Sequence, residues 1–228
     1  MSTITPAALA GELAAATPPL SEHEQQVFLT LYRLLATGQP VDACALAESA
    51  RLPADLVRAA LERQPGVYTD DRRRVIGFWG LSISPMPHRM LVNGQALFAW
   101  CAWDTLFLPE LLGAPAEIES RCPTSARRIT LTVDGARVTS QDPAETVLSF
   151  LHREQPFDAD TIRTFCHYVH FFANPDAAAE WTACREGTFM LSLADGSQIA
   201  RLTNRARFPT ILADWPPDEG VASSRSRR

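Results

Sequence analysis

Between Ser21 and Arg63 the apolar residues recur at helical spacing, and that periodicity limits what the first third of the chain can form. Ser21 precedes Glu22 and Glu24, a pattern suited to a helix N-terminus: a hydroxyl satisfies an orphan N–H and acids complement the helix dipole. Val27, Phe28, Leu31, Leu34 and Leu35 then share one face, and Gly38-Gln39-Pro40 stops the helix. A second helix is expected over 41–49 and a third over 53–63, with Pro53 in the first turn, where its missing N–H costs nothing. After Pro65-Gly66, the runs 67–69 and 75–79 flank Asp70-Asp71-Arg72 and read as a hairpin. Three helices and a hairpin make a winged-helix-like N-terminal part over 21–80. In a DNA-binding version the third helix needs positive charge. Here Asp55, Arg58, Glu62 and Arg63 cancel, and residues 1–80 hold seven Arg against nine acids, a net of -2. The pattern therefore reads as a packing element, with no nucleic acid as partner. Residues 1–20, rich in Ala and Pro, read as a flexible arm with one or two helical turns.

From Leu81 the pattern changes. Pro85, Pro87, Asn93 and Gly94 punctuate short segments. Residues 97–112 read as one helix that Pro109 bends or ends. Residues 116–120 and 129–133 alternate as strands, the second leading into Asp134-Gly135 and a short return strand over 138–140. Residues 160–172 look helical, although the β-branched and aromatic run over 168–172 reads equally as a strand. Asn174-Pro175-Asp176 starts a helix over 177–184. A strand over 188–193, a turn at Asp195-Gly196 and a last helix over 197–207 follow. The expected class is α+β: the winged-helix-like part packed against a mixed, mainly antiparallel β domain with flanking helices over 81–212. The tail over 213–228, with Pro216-Pro217 and Ser223-Ser224-Arg225-Ser226-Arg227-Arg228, is expected to be disordered.

Composition removes several kinds of chemistry. All 21 basic residues are Arg; the chain has no Lys. No side-chain amine can form a Schiff base, which excludes pyridoxal phosphate enzymes, and no Gly-Lys-Ser/Thr phosphate loop exists. The net charge of -5 argues against general nucleic-acid binding. The first residues lack a basic start followed by an apolar core, and the most apolar stretch, 96–112, is broken by Asp104 and Glu110. No membrane partner and a cytoplasmic location are expected. The five Cys are odd in number and widely spaced, without a Cys-x-x-Cys, so a disulfide framework or zinc ribbon is not expected.

Candidate chemistry lies in three segments. Cys101 and Asp104, at i and i+3 of the expected helix, share one face. The surrounding Phe98, Trp100, Trp103, Leu106 and Phe107 would make a dry pocket, and drying raises a carboxyl pKa toward neutrality. Taken alone, the pair reads more readily as a buried structural Cys beside a helix-surface Asp. Cys166 and His167 are adjacent and so do not face each other, which makes them a poor hydrolase pair. Cys166 and His170 at i and i+4 would suit zinc only with further ligands, and no partner pair is apparent. Two thiolates from distant segments with an oxygen ligand favour a soft, thiophilic ion. Cys44 and Cys184 read as small buried hydrophobes.

Three motifs in order carry a family resemblance: 99–106 (Ala-Trp-Cys-Ala-Trp-Asp-Thr-Leu), Ser120-Arg121-Cys122, and 165–172 (Phe-Cys-His-Tyr-Val-His-Phe-Phe). With Gly38-Gln39-Pro40-Val41 before them and Ala179-Glu180-Trp181 after, they resemble the bacterial organomercurial (alkylmercury) lyases over about 21–200. The resemblance implies carbon–mercury bond cleavage by protonolysis, giving a hydrocarbon and Hg(II). It places the catalytic roles on Cys101, Asp104 and Cys166, which would also hold the Hg(II) product. It implies alkyl and aryl organomercurials as substrates, no required cofactor, and small external thiols or mercuric reductase as acceptors of Hg(II). Cys122 matches a family cysteine that looks structural. Trp103 stands where a smaller aliphatic residue is common, and would narrow the pocket. A rival reading is a winged-helix regulator that senses Hg(II) or another soft metal without catalysis; it has no need of Asp104 as an acid, and the neutral third helix speaks against it.

Overall fold

Thr5 caps an eleven-residue helix, α1 (Pro6–Ala16), by accepting from the Ala8 N–H at 3.2 Å, with Pro6 at its start. The computed structural model describes residues 5–152 and 156–212; the tail expected over 213–228 lies outside the described residues. Leu9, Ala10 and Leu13 of α1 are buried, so this segment is a docked helix where the sequence suggested a loose arm. Ser21 and Glu24 form a reciprocal capping box on α2 (Glu22–Leu35), which buries Val27, Phe28, Leu31, Tyr32 and Leu35. Asp42 caps α3 (Ala43–Ala50) by accepting from two N–H groups at 2.9 Å, and α4 (Ala54–Arg63) follows Pro53. Arg63 of α4 forms an ion pair back to Glu24.

The hairpin β1 (Val67–Thr69) and β2 (Val75–Phe78) continues directly into β3 (Leu81–Ser82). Then come β4 (His88–Val92), β5 (Gln95–Ala99), α5 (Asp104–Leu112), β6 (Ala116–Arg121), β7 (Arg128–Asp134) and β8 (Arg137–Asp142). The eight strands form one sheet in the order β1-β2-β3-β5-β4-β6-β7-β8, every pair antiparallel. Because β2 pairs with β3 across residue 80, the three-helix part and the rest of the chain share this sheet and one apolar core. A second antiparallel sheet, β10-β9-β11, is built from β9 (Val147–Leu151), β10 (Phe171–Phe172) and β11 (Thr188–Ser192). Around it lie α6 (Thr161–Thr164), α7 (Pro175–Ala183) and α8 (Leu193–Arg207). α8 packs along both α1 and α5. The class is α+β, as expected, although no parallel pair occurs among the described strands.

Four local expectations change. Residues 97–112 are not one helix. Leu97 and Ala99 alternate inward on β5, the chain turns at 100–103, and only then does α5 begin. A continuous apolar run looks the same to a periodicity test whether it is a buried strand or a buried helix. Pro109 lies inside α5 and does not end it. Residues 160–172 are neither a long helix nor a long strand, but α6, a single 3-10 turn at Cys166–Tyr168 and β10. Asp195-Gly196 makes no turn. Ser192 caps α8 by accepting from the Asp195 N–H at 3.0 Å, and Gly196 lies within the helix against Leu106 and Leu148, where a Cβ would meet both at 3.1 Å. Cys44 and Cys184 are exposed, one near the start of α3 and the other at the C-cap of α7, because the buried faces of these helices are Leu46, Ala47 and Ala50, and Ala178 and Trp181.

His88 opens β4 and is buried, with Nδ1 2.8 Å from the Ser120 hydroxyl and its ring edge-on to Phe171. Burial, with His170 nearby, pulls its pKa down from 6.5 to about 3. Since the folded value lies below the unfolded one, the stability linked to neutral His88 is present above pH 6.5 and is lost as pH falls toward 3. His88→Gln should therefore flatten the acid limb. Between pH 7 and pH 5 the native protein should lose about 2 kcal/mol more than the variant in urea unfolding. Parallel pH profiles would refute this.

Candidate active site

Three backbone ties place the turn that follows β5. The Trp100 N–H donates to the Gly80 carbonyl at 2.9 Å, the Ala102 N–H to Val169 at 3.1 Å, and the Thr105 N–H to Ala102 at 3.3 Å. The first joins Cys101 to the β2–β3 turn. The second joins it to the 3-10 turn that carries Cys166, itself closed by the Val169 N–H donating to the Cys166 carbonyl at 3.1 Å. Two segments 65 positions apart in sequence thus bring their thiols together. Asp104 is the first residue of α5, and its Oδ2 reaches back to accept the Cys101 N–H at 2.8 Å. The proximity of Cys101 and Asp104 comes from this reach-back turn and not from a shared helix face.

Ligand atoms of Cys101, Asp104 and Cys166 all lie within 4.8 Å of one another, and all three residues are buried. This is the only such cluster among the described residues. His167 and His170 stand outside it; the His170 Nε2 lies 2.8 Å from the His167 carbonyl. Cys122 is also outside it. Burial pushes its thiol up, but hydrogen bonds from Ser125, Thr124 and Ala173 outweigh this and bring it down to about 7.

Burial drives the electrostatics of the cluster. It raises the Asp104 carboxyl from 3.8 to about 7, against the downward pull of hydrogen bonds from the Cys101 thiol and N–H. Burial also pushes the Cys101 thiol well up, reinforced by Cys166 and Asp104 beside it. At neutral pH the resting site therefore holds protonated thiol next to a carboxyl group poised to take or give a proton. Asp104 and Cys166 line a cleft whose walls include Trp79, Trp100, Trp103, Phe157 and Phe165. Paired soft sulfur ligands and an aromatic, water-poor wall suit a thiophilic metal carrying an organic group.

Residues 81–204 match the family model for alkylmercury lyase (MerB). The chain is 39% identical over 188 residues to the alkylmercury lyase of Streptomyces lividans, an alignment spanning 82% of this chain and 84% of that protein. It is 36% identical over 201 residues to the alkylmercury lyase of Pseudomonas putida, spanning 88% and 92% of the two chains. The chain belongs to the alkylmercury lyase family. The fold agrees with the crystal structure of the mercury-bound form of MerB2, at a TM-score of 0.67 and 22% identity, covering 90% of this chain and 99% of that one.

Within this alkylmercury lyase fold, two contributors to the site had no marker in the motifs. Gly80, with φ at +92°, lies so close to Asp104 that a Cβ would sit 2.7 Å from the Asp104 Cγ. A Trp-Gly pair after a strand was the available signal, but nothing local points from it to a carboxylate 24 residues on. Arg207, at the end of α8, lines the same cleft; it is one of 21 Arg and carries no pattern.

The raised Asp104 pKa has a sign that can be checked. Its folded value lies above the unfolded one, so the associated stability is complete below about pH 4 and is lost as pH rises through about 7. Asp104→Asn keeps an acceptor for the Cys101 N–H but cannot ionise. Its stability relative to the native protein should rise by about 2.5 kcal/mol from pH 5 to pH 8 in urea unfolding. An unchanged difference would mean that Asp104 is not buried as described.

Proposed function

We propose that the chain cleaves the carbon–mercury bond of alkyl and aryl organomercurials by protonolysis, releasing a hydrocarbon and Hg(II). The observation that carries this reading is the buried cluster of two thiols and one carboxyl group within 4.8 Å, in a chain of the alkylmercury lyase family. In the first step one thiol sulfur bonds mercury, and its proton leaves with the displaced external thiolate. The second thiol then adds to mercury and passes its proton to Asp104. Two sulfur donors push electron density onto mercury and weaken its bond to carbon. Protonated Asp104 delivers the proton to the leaving carbon as that bond breaks. The hydrocarbon departs, and Hg(II) stays on Cys101 and Cys166 with Asp104 beside it. Each mercurial consumes two thiol protons, one leaving on the external thiol and one on carbon, so no added cofactor is required.

A carboxyl pKa of about 7 supports the dual role of Asp104, since a group near neutrality can both accept and return a proton. Small external thiols, and downstream a mercuric reductase, would take the Hg(II), completing mercury detoxification in the cytoplasm. No helix among the described residues is long and apolar enough to cross a membrane. We read α2–α4 with β1–β2 as a winged-helix-like part in a supporting role. Tyr32 of α2 donates to the Trp79 carbonyl at 2.9 Å and so braces the turn that holds Gly80 against Asp104.

Cys101→Ala, Cys166→Ala and Asp104→Ala should each abolish benzene release from phenylmercury in excess thiol, measured by headspace gas chromatography, while Cys44→Ala keeps nearly full turnover. Full activity in any of the first three would sink the mechanism. Gly80→Ala should cost at least about tenfold in kcat, because the added methyl displaces Asp104 from its proton-transfer position. A kcat like that of the native protein would show that this close approach is not needed.

A further inference from the structure

Arg207 is the last residue of α8 and faces the cleft that Asp104 and Cys166 also line. Its Nε and Nη2 are fully buried and have no hydrogen-bond partner among the described residues. No carboxylate there forms an ion pair with it. Its neighbours are Tyr32, through a side-chain hydrogen bond, and the rings of Trp79 at 5.2 Å and Phe208 at 5.8 Å. Asp104 is not its counter-ion, since no ion pair among the described residues joins the two side chains.

The two unpartnered nitrogens matter for their geometry. Nε–H and Nη2–H point the same way and form the lateral edge of the guanidinium, the edge that takes both oxygens of a carboxylate at once. Ring contacts compensate the charge in part but leave this edge unused. A buried cation with a free donor fork is costly unless a ligand completes it. The aromatic walls accept a flat organic group, and Arg207 lines the cleft with them.

We propose that Arg207 forms a carboxylate-recognition subsite in the mercury cleft. Resting on the organomercurial reading above, it would select mercurials that bring a carboxylate into the cleft. That carboxylate comes either from the organic group on mercury or from the thiol that carries the mercury in, and both present the same two oxygens to the fork.

The test compares the native protein with Arg207→Met and Arg207→Lys. One arm measures kcat/KM for 4-carboxyphenylmercury over phenylmercury, both delivered in 2-mercaptoethanol. The other measures phenylmercury delivered with 3-mercaptopropionate over the same substrate in 2-mercaptoethanol. Arg207→Met should lower the ratio by about tenfold in the arm that holds the true source, and Arg207→Lys, with a charge but no fork, should restore it only in part. A third measurement needs no mercury: benzoate should bind the native protein by saturation-transfer NMR and bind Arg207→Met more weakly. Ratios unchanged in both arms, with benzoate binding unaffected, would overturn the subsite. Arg207-dependent benzoate binding in a protein that cleaves no mercurial would keep the subsite and remove the lyase reading. If Arg207→Met does not fold, Arg207→Lys carries the same ratios, and native-like ratios there would overturn the proposal.

Discussion

A single buried carboxyl group sets the terms for the rest of the molecule. Asp104 sits almost out of water, and among the described residues the hydrogen bonds that favour its charged form come from the N–H and thiol of Cys101. Ionising it there is unfavourable, so its proton is retained to near neutral pH. The surroundings must bring the carboxyl to the thiols and keep water away without supplying a neutralising cation. Gly80 gives it room, Trp100 and Ala102 tie its turn to two other segments, and α5 begins at Asp104 itself.

The architecture follows from that requirement. The turn after β5 needs one fixed neighbour on each side. The β2–β3 turn supplies Gly80 on one, and the 3-10 turn with Cys166 supplies the other. The three-helix part is joined to the site through its strand pairing and through Tyr32, which bonds to the backbone beside Gly80. α1 and α8 pack together over the same region, with Leu13 and Thr17 on the cleft from one side and Thr203, Asn204 and Arg207 from the other. Asn204 is itself fixed by donating to the Phe107 carbonyl at 3.0 Å and to the Glu110 carboxylate at 2.6 Å. A buried amide with two partners is a rigid wall.

Where sequence and structure part company, tertiary packing wins over local pattern. The run over 97–112 is apolar throughout, so its period cannot separate strand from helix; pairing of β5 with β3 and β4 decides the first part. Asp195-Gly196 has turn chemistry, but a Ser192 cap and the space between Leu106 and Leu148 make it helix. Residues 5–16 carry a weak helical signal and become a helix because α8 offers a face for Leu9 and Leu13.

The sequence by itself determined the elements with local signals: the capped helices α2, α3 and α7, the hairpin, the strands β6 to β8, and the two motifs that contain Cys101, Asp104 and Cys166. Those signals are short-range, so they can be read from neighbours along the chain. Only the tertiary structure decided that the Cys–Asp pair is a reach-back turn and not a helix face, that Cys166 meets it, that Gly80 must lack a Cβ, and that one Arg of 21 lines the cleft with two buried nitrogens unpartnered among the described residues. Apart from the reach-back itself, these depend on burial and on contacts between segments tens to over a hundred residues apart, and no local pattern records such contacts.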